Sequence, residues 1–368
     1  MKQLENSYGT VKHGGDWQGA IDKYGWQPDE IIDFSANINP LGPPDSVIKT
    51  LKENLKFIER YPDPLCRELK KKLSHYLGVD LKTIIAGNGA IELIYLLCQV
   101  YKPKRVLILE PTFMEYRRAA EIAGAEVVTF NLNPDDFSLD IDKWRENIEK
   151  IDMTFICNPN NPTGRLLKPE ILYEIVETCQ KNNIFLVVDE SFLDFIPNWP
   201  TLSLVKQAAN SKRLFILRSL TKFFALPGLR LGCGVGCPEL IKKLEAHCYP
   251  WSINILAQKA GITALSDLNY MKKSRELIFE EKKYLYNGLL NLKFLKPYYP
   301  EVNFILSKII TNRFKVFHLA KALIKGKILI RDCSSFSGLG PDYFRIAVRN
   351  REDNNKLLKV LKTVVEER

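Results

Sequence analysis

Long apolar runs are absent from this sequence. None of its hydrophobic stretches approaches the roughly 20 residues that a membrane-spanning helix needs, and the segment Met1 to Asn6 contains no signal-peptide core. These absences exclude an integral membrane protein, and we expect a cytoplasmic one. A zinc motif is also absent, because Cys233 and Cys237 lack a second spaced pair. We therefore expect the eight cysteines to be reduced, mostly buried thiols, and we predict no metal site.

Blocks of like charge are absent as well, although the net charge is +10. Basic residues are mixed with acidic ones, as in Glu68 to Lys72 and Glu280 to Lys283, a pattern typical of solvated helix faces. No helix-turn-helix precedes the globular region, which argues against the alternative of a ligand-sensing transcription regulator. We expect no nucleic-acid or membrane partner. The positive surplus favours small polyanionic ligands instead.

What the sequence does contain is an α/β pattern. Continuously apolar runs predict strands at 83–86, 105–109, 126–130, 153–157, 184–188 and 214–217, with helical segments between most of them. Such runs indicate burial on both faces of a mainly parallel central sheet flanked by helices. We place a large domain over 46–265 and a smaller α+β domain over 1–45 and 266–368. The stretch 1–45, rich in Gly, Pro and Asn, is predicted to be an irregular arm.

Polar segments follow the carboxyl ends of five predicted strands, where ligands gather in parallel sheets. They are Gly87-Asn88-Gly89, Pro111-Thr112-Phe113, Asn158 to Gly164, Asp189-Glu190, and Ser219 to Lys222. Lys222, with hydroxyl groups at Ser219 and Thr221 and a cation at Arg230, suits a Schiff base to pyridoxal 5′-phosphate, although most lysines after strands are merely solvated. Asp189, at the end of an apolar strand, is the carboxylate placed to keep the cofactor's pyridine nitrogen protonated.

A family resemblance rests on the order and spacing of three motifs. Asn158-Pro159-Asn160-Asn161-Pro162-Thr163-Gly164, Asp189-Glu190-Ser191-Phe192, and Ser219-Leu220-Thr221-Lys222 with Arg230 resemble the fold-type I, pyridoxal-phosphate-dependent aminotransferase superfamily over nearly the whole chain. Within it the chain is most similar to the histidinol-phosphate aminotransferase group. His13-Gly14-Gly15, Phe34 to Pro44, and Ile330 to Cys333 resemble the threonine-phosphate decarboxylase branch of that group.

This resemblance implies how the cofactor is bound. Lys222 would form the Schiff base, Asp189 would pair with the pyridine nitrogen, and Asn161 would donate to the ring oxygen while Phe113 stacks on the ring. The implied phosphate ligands are the backbone of Gly89 and Ala90, the side chains of Ser219, Thr221 and Arg230, and Tyr61 from the neighbouring subunit of a homodimer. Phe192 departs from the family pattern, because aminotransferases usually place a tyrosine there that donates to the ring oxygen.

The resemblance also implies the substrate contacts. Arg345 would hold the substrate carboxylate in a bidentate fork, with Asn161 beside it. Arg331, His13 and Asn37 are the candidates for the substrate phosphate. Each has a plainer explanation: a salt bridge near Asp332, a loop histidine, and an Asx turn, respectively.

The expected reaction is decarboxylation of O-phospho-L-threonine to (R)-1-amino-2-propanol O-phosphate in cobalamin biosynthesis. Transamination of histidinol phosphate with 2-oxoglutarate is the alternative. Both would use the same residues, because the bond held perpendicular to the conjugated ring is the one that breaks.

Overall fold

Strands form three sheets in residues 13–366, the part of the chain that the computed structural model describes. In chain order they are β1 (Ile32–Asp33), β2 (Ile84–Gly87), β3 (Arg105–Glu110), β4 (Glu126–Asn131), β5 (Met153–Cys157), β6 (Phe185–Asp189), β7 (Leu214–Ser219), β8 (Gly232–Val235), β9 (Leu295–Pro297), β10 (Phe304–Ile309), β11 (Ile328–Leu329), β12 (Arg331–Asp332) and β13 (Tyr343–Ala347). The largest sheet has the order β2-β8-β7-β6-β5-β3-β4, and all its strands except β8 run in one direction. The predicted mainly parallel sheet is confirmed.

Helices pack on the sheets of the described residues, and the seven-stranded sheet has some of them on each face. They are α1 (Trp17–Tyr24), α2 (Asp45–Asn54), α3 (Arg67–Leu77), α4 (Ala90–Tyr101), α5 (Glu115–Ile122), α6 (Ile141–Glu146), α7 (Pro169–Lys181), α8 (Trp199–Leu202), α9 (Val205–Ala208), α10 (Leu220–Phe223), α11 (Pro238–Glu245), α12 (Ile255–Ala264), α13 (Leu268–Leu290), α14 (Val316–Leu323) and α15 (Arg351–Glu366). Successive residues of β6 enter opposite cores. Val187 joins the apolar cluster of α4, α5 and α11, whereas Leu186 and Val188 join that of α3, α7 and α12. Burial of both faces explains why the strands are apolar throughout.

Strand β8 was not predicted, and it is the antiparallel member of the large sheet. A Cβ on its first residue, Gly232, would lie 2.4 Å from the backbone nitrogen of Ala90, and one on Gly234 would lie 2.1 Å from the Phe215 ring. Both glycines therefore permit close packing. Two glycines in four residues weaken the apolar pattern by which a strand is predicted from sequence.

The arm departs from the prediction in its described part, while residues 1–12 lie outside the described residues. Residues 17–24 form α1, whose first turn is capped by Asp16 Oδ1 accepting from Gly19 N at 2.9 Å, and Gly25 ends it with a left-handed φ of 69°. The expectation of an irregular arm is thus wrong for this segment. A helix with only Ala20 buried leaves little periodicity to detect.

The arm then joins the smaller sheets. An antiparallel sheet has the order β12-β13-β10-β9, and β1 pairs in parallel with β11. Phe34 N donates to Leu329 O at 2.8 Å, and Ala347 N donates to Phe34 O at 2.8 Å, so the segment after β1 bridges β11 and β13. These elements supply the α+β part of the fold, while the domain boundaries at residues 46 and 265 stay predictions.

Residues 13–366 contain neither a candidate membrane-spanning helix nor a disulfide bond. None of their helices is both long enough and apolar enough to cross a bilayer. All eight cysteines in this range are unpaired, and all but Cys248 are buried.

A buried ion cluster lies behind the ends of β6 and β7. Arg218 donates to Glu190 Oε2 at 3.0 Å and to Asp194 Oδ1 at 2.5 Å, and its guanidinium lies 4.4 Å from the centroid of the Trp199 ring. Arg218 is only 2% exposed. Tyr76 adds a hydroxyl that donates to Asp194 at 2.5 Å. Removal of one member would leave the charges of the others unpaired in a medium of low dielectric constant.

We expect the Arg218→Met variant to lose about 3–5 kcal/mol of unfolding free energy, the usual cost of leaving buried charges unpaired. Urea unfolding followed by circular dichroism measures this loss. Arg213→Met, which changes an exposed arginine just before β7, is the matched control and should stay within about 0.5 kcal/mol of wild type. Equal stability of both variants would show that the cluster contributes little.

Candidate active site

A cavity of about 560 Å³ opens at the carboxyl ends of the parallel strands. Eight of the residues predicted from the sequence line it: His13, Asn37, Phe113, Asn161, Lys222, Arg230, Arg331 and Arg345. The seven-stranded sheet supplies one wall. The arm and the strands β12 and β13 supply the opposite wall. The cavity thus collects residues that are up to 332 positions apart in the sequence.

Lys222 lies on α10, the single turn that follows β7, and its Nζ donates to Thr221 Oγ1 at 2.8 Å. Burial, and after it the nearby cation of Arg230, lower the pKa of Lys222 to about 8, while Asp189 opposes the shift. A lysine shifted this far holds a larger share of neutral amine near neutral pH than an ordinary lysine does. Nucleophilic attack requires that neutral form.

The predicted phosphate ligands meet where β2 and β7 end on either side of the start of β8. In the sheet register Gly232 pairs with both Gly87 and Ser219, which brings the Gly89–Ala90 turn next to the end of β7. Ser219 Oγ lies 2.7 Å from Thr221 Oγ1. A Cβ on Gly89 would lie 2.5 Å from an Arg230 guanidinium nitrogen, so only glycine admits this close approach.

This group of residues can bind an anion. The turn leads into the N-terminus of α4, where free N–H groups and the helix dipole favour negative charge. The hydroxyl groups and the guanidinium add side-chain donors to the backbone ones.

Asp189 is buried at the end of β6, in the centre of the sheet. Its Oδ2 accepts from the Tyr116 hydroxyl at 2.6 Å and its Oδ1 accepts from Ser191 N at 2.9 Å. The Tyr116 ring stacks on Phe155 at 5.1 Å and meets the edge of Phe113 at 5.6 Å. Tyr116 was not predicted, since nothing in the sequence links it to a carboxylate 73 positions away. It fixes the orientation of the Asp189 carboxylate.

Arg331 and Arg345 lie directly opposite each other on β12 and β13. Arg345 donates to Asn161 Oδ1 and, at 2.9 Å, to Ser35 O, while its buried Nε has no hydrogen-bond partner. Burial lowers the pKa of Arg345 to about 10, and Arg331 contributes to this shift. Burial also lowers the pKa of Arg331. Two positive charges placed opposite each other are unfavourable unless an anion lies between them.

Neither the salt-bridge explanation for Arg331 nor the Asx-turn explanation for Asn37 accounts for these side chains. Arg331 donates to Ser335 Oγ at 3.0 Å, and among the described residues it has no ion pair with Asp332, whose carboxylate accepts from Ser334 N. Asn37 Oδ1 is buried without a partner. The Asx turn in this patch belongs to Asn39, which accepts from Leu41 N at 3.1 Å.

His13 is partly exposed at the cavity edge, where its Nε2 lies 2.9 Å from Glu115 Oε1. It is therefore not a free loop histidine. Its ring centroid lies 6.1 Å from that of Phe113. Glu115 was not predicted from the sequence, because a carboxylate at a helix N-terminus is commonplace there.

Two aromatic residues need separate description. Phe192 is buried at the cavity wall, where its ring makes an edge contact with Phe304 at a centroid distance of 5.0 Å. Because it is a phenylalanine, it offers no hydroxyl group to a ligand. Tyr61 is 79% exposed, lies outside the cavity and packs on Trp251 at 4.7 Å. Its predicted contact across a subunit interface stays a prediction.

These residues fit pyridoxal 5′-phosphate. Lys222 provides an amine with a lowered pKa, and Asp189 provides an oriented carboxylate. The Gly89 turn, Ser219, Thr221 and Arg230 surround one anion site on the sheet side. The opposed arginines on the other wall leave donors for a second ligand that also carries negative charge.

Comparisons with known proteins agree with this geometry. The sequence model of the family described as aminotransferase class I and II matches residues 29–361. The threonine-phosphate decarboxylase of Salmonella typhimurium LT2 is 37% identical over 355 residues, 96% of each chain. The structure of the histidinol-phosphate aminotransferase from Clostridium acetobutylicum has a TM-score of 0.86 at 33% identity and covers 92% of this chain and 100% of its own. That of L-threonine-O-3-phosphate decarboxylase from Porphyromonas gingivalis has a TM-score of 0.82 at 27% identity, with coverage of 91% and 100%. The predicted fold class is confirmed.

The lowered pKa of Lys222 predicts its reactivity in the cofactor-free protein. Acylation by acetic anhydride requires the neutral amine, so labelling of Lys222 should rise with pH through about 8 and then level off. Mass spectrometry of peptides after trace labelling measures this, with the exposed Lys49 as an internal reference. Labelling of Lys222 in parallel with Lys49 at every pH would contradict the prediction.

Proposed function

Since the chain belongs to the aminotransferase class I and II family and is a pyridoxal-phosphate-dependent enzyme, we propose that it decarboxylates O-phospho-L-threonine. The products would be carbon dioxide and (R)-1-amino-2-propanol O-phosphate, used in cobalamin biosynthesis. The 37% identity to a threonine-phosphate decarboxylase over 96% of both chains supports this proposal. The proposal also has support from the charges of the cavity.

The observation that carries the proposal is the opposed pair of arginines. A phospho-amino acid bears a phosphate and a carboxylate, and it must bind in addition to the cofactor's own phosphate. Arg331 and Arg345 supply two buried cations on the wall opposite the Arg230 site. We assign the carboxylate to Arg345, whose orientation is fixed by Asn161 and Ser35. We assign the phosphate to Arg331, His13 and Asn37, which line the same cavity.

We assign the cofactor-binding roles to the sheet side of the cavity. When bound, pyridoxal phosphate accepts the electron pair released at the substrate's α carbon. Lys222 would hold the cofactor covalently, and Asp189 would keep its pyridine nitrogen protonated. Asn161 would donate to the ring oxygen through its Nδ2, since its Oδ1 already accepts from Arg345. Phe113 would cover one ring face. The donors of Gly89, Ala90, Ser219, Thr221 and Arg230 would hold the phosphate.

The reaction type follows from how the substrate is held. Arg345 would hold the substrate carboxylate so that the bond from the α carbon to the carboxylate, and not the bond to hydrogen, is the one that breaks. The carboxylate would leave as carbon dioxide, and a proton would replace it on the α carbon. We assign this proton transfer to the Lys222 amine, because its lowered pKa lets it take up and release a proton near neutral pH.

We further propose that the enzyme is a homodimer in which Tyr61 reaches the cofactor phosphate of the neighbouring subunit. Tyr61 and Ile58 are exposed by 79% and 67%, and Tyr61 packs on Trp251, which is itself 47% exposed. Exposed aromatic and aliphatic residues that lie together favour burial against another chain.

Histidinol-phosphate transamination is the second candidate. The TM-score of 0.86 and 33% identity to the Clostridium acetobutylicum aminotransferase favour it. Histidinol phosphate has a phosphate but no carboxylate, so it would use only one of the two opposed arginines. The amino-group acceptor, 2-oxoglutarate, carries two carboxylates and would bind both arginines in the second half of the reaction.

A direct assay separates the two reactions. We expect the purified holoenzyme to release carbon dioxide from carboxyl-labelled O-phospho-L-threonine without any oxo acid, because the bound carboxylate is the leaving group. Histidinol phosphate with 2-oxoglutarate should yield no glutamate. The reverse result, glutamate formation without carbon dioxide release, would establish the aminotransferase.

Variants test the assignment of the two arginines. Arg331→Met should weaken binding of both O-phospho-L-threonine and the reaction product about a hundredfold, because both carry the phosphate. Arg345→Met should weaken only the substrate, since the product has lost its carboxylate. Substrate KM and product inhibition constants measure both effects, with the exposed Arg313→Met as control. If Arg345→Met weakens the product and Arg331→Met does not, the two assignments must be exchanged.

A further inference from the structure

Glu115 is an almost completely buried carboxylate at the edge of the cavity, with a side chain 2% exposed. Its Oε2 accepts from the Tyr95 hydroxyl at 2.5 Å, and its Oε1 lies 2.9 Å from His13 Nε2. Arg118, one turn further along α5, lies 3.9 Å away. The hydrogen bond from His13 lowers the pKa of Glu115, which keeps it ionised at neutral pH. A buried carboxylate with a partner on each oxygen has a defined orientation.

The two hydrogen bonds have different consequences. The Tyr95 hydroxyl occupies one carboxylate oxygen and leaves the other for the imidazole. Because Glu115 can only accept when ionised, Nε2 of His13 must carry a proton. The other ring nitrogen, Nδ1, has no protein partner among the described residues. An imidazolium held in this way can donate through Nδ1 to a second anion.

The backbone beside His13 is fixed from the opposite side. A Cβ on Gly14 would lie 2.1 Å from Ser35 O, and Gly15 N donates to Ser35 Oγ at 2.8 Å. The segment His13-Gly14-Gly15 is therefore held between Ser35 on the arm and Glu115 on α5. The charged groups that line the same cavity are Asp33, Lys222, Arg230, Arg331 and Arg345.

We propose that Glu115 is a positioning residue, which holds the imidazole of His13 over the substrate's phosphate while Tyr95 holds Glu115. This assignment rests on the proposed function, because it takes the phosphate of the substrate as the second anion. His13 contacts the phosphate, and Glu115 acts only through His13. The preference of the enzyme for a phosphorylated ligand should then depend on a carboxylate that never touches that ligand.

Two ligands that differ only in the phosphate test this role. Binding of 1-amino-2-propanol O-phosphate and of 1-amino-2-propanol to the holoenzyme is measured by calorimetry. Glu115→Gln should weaken binding of the phosphorylated amine about tenfold and leave the other unchanged, as expected for loss of one charge-assisted hydrogen bond. Tyr95→Phe should give a smaller loss, about threefold. Glu121→Gln, an exposed residue on the same helix, is the matched control and should match wild type.

Kinetics separate positioning from general damage. In Glu115→Gln the KM for O-phospho-L-threonine should rise about tenfold while kcat changes by less than about twofold. Equal weakening of both amines, or unchanged binding of both, would overturn the proposal. If Glu115→Gln loses the phosphorylated amine selectively but wild type releases no carbon dioxide, the positioning role is supported and only the decarboxylase function fails.

Discussion

The chemistry of this site depends on a buried ion cluster that holds together the ends of two neighbouring strands. Arg218 joins Glu190 and Asp194 behind the cavity at 3.0 and 2.5 Å. Glu190 directly follows Asp189, and Arg218 directly precedes Ser219. Since successive residues of a strand point to opposite faces, the cluster and the site residues occupy opposite sides of the same strand ends. Ion pairs in a medium of low dielectric constant tolerate little displacement, so the cluster fixes the spacing between the carboxylate of Asp189 and the turn that carries Lys222.

Positive charge concentrated around the cavity serves binding and reactivity together. Lys222, Arg230, Arg331 and Arg345 line a single cavity, and burial lowers the pKa of Lys222 and of the two opposed arginines. Crowded cations are unfavourable in the absence of anions, and this unfavourable energy is relieved when phosphate and carboxylate groups enter. Burial, together with the nearby cations, keeps the Lys222 amine neutral more often than in water. One electrostatic arrangement therefore both favours anionic ligands and raises the neutral share of the Lys222 amine.

Sequence reasoning succeeded where a property depends on neighbours in the chain. The apolar strands, and the polar residues just beyond their ends, follow from local pattern, and most of the predicted residues do meet in one cavity. It failed where packing between distant segments decides. Strand β8 was not predicted because two of its residues are glycines, and Gly232 and Gly234 are needed to leave room for Ala90 and Phe215. Helix α1 escaped because it buries little. The partners Tyr116 and Glu115 escaped because their contacts span 73 and 102 positions.

Under the proposed function, the choice between losing a carboxylate and losing a proton would depend on how the two walls of the cavity are placed relative to each other. Lys222 and Asp189 belong to the seven-stranded sheet, whereas Arg331 and Arg345 belong to the antiparallel one. Arg345 connects the two walls by donating to Asn161 Oδ1. Asn39, on the arm, makes a second connection by donating to the carbonyl oxygen of Phe223 at 2.8 Å. These bonds fix the position of Arg345 relative to Lys222. A small rotation of one sheet against the other would keep the same set of side chains around the cavity and still shift Arg345 relative to Lys222. Under the proposed function, the reaction type would therefore depend on the contacts between the walls as well as on the residues that line the cavity.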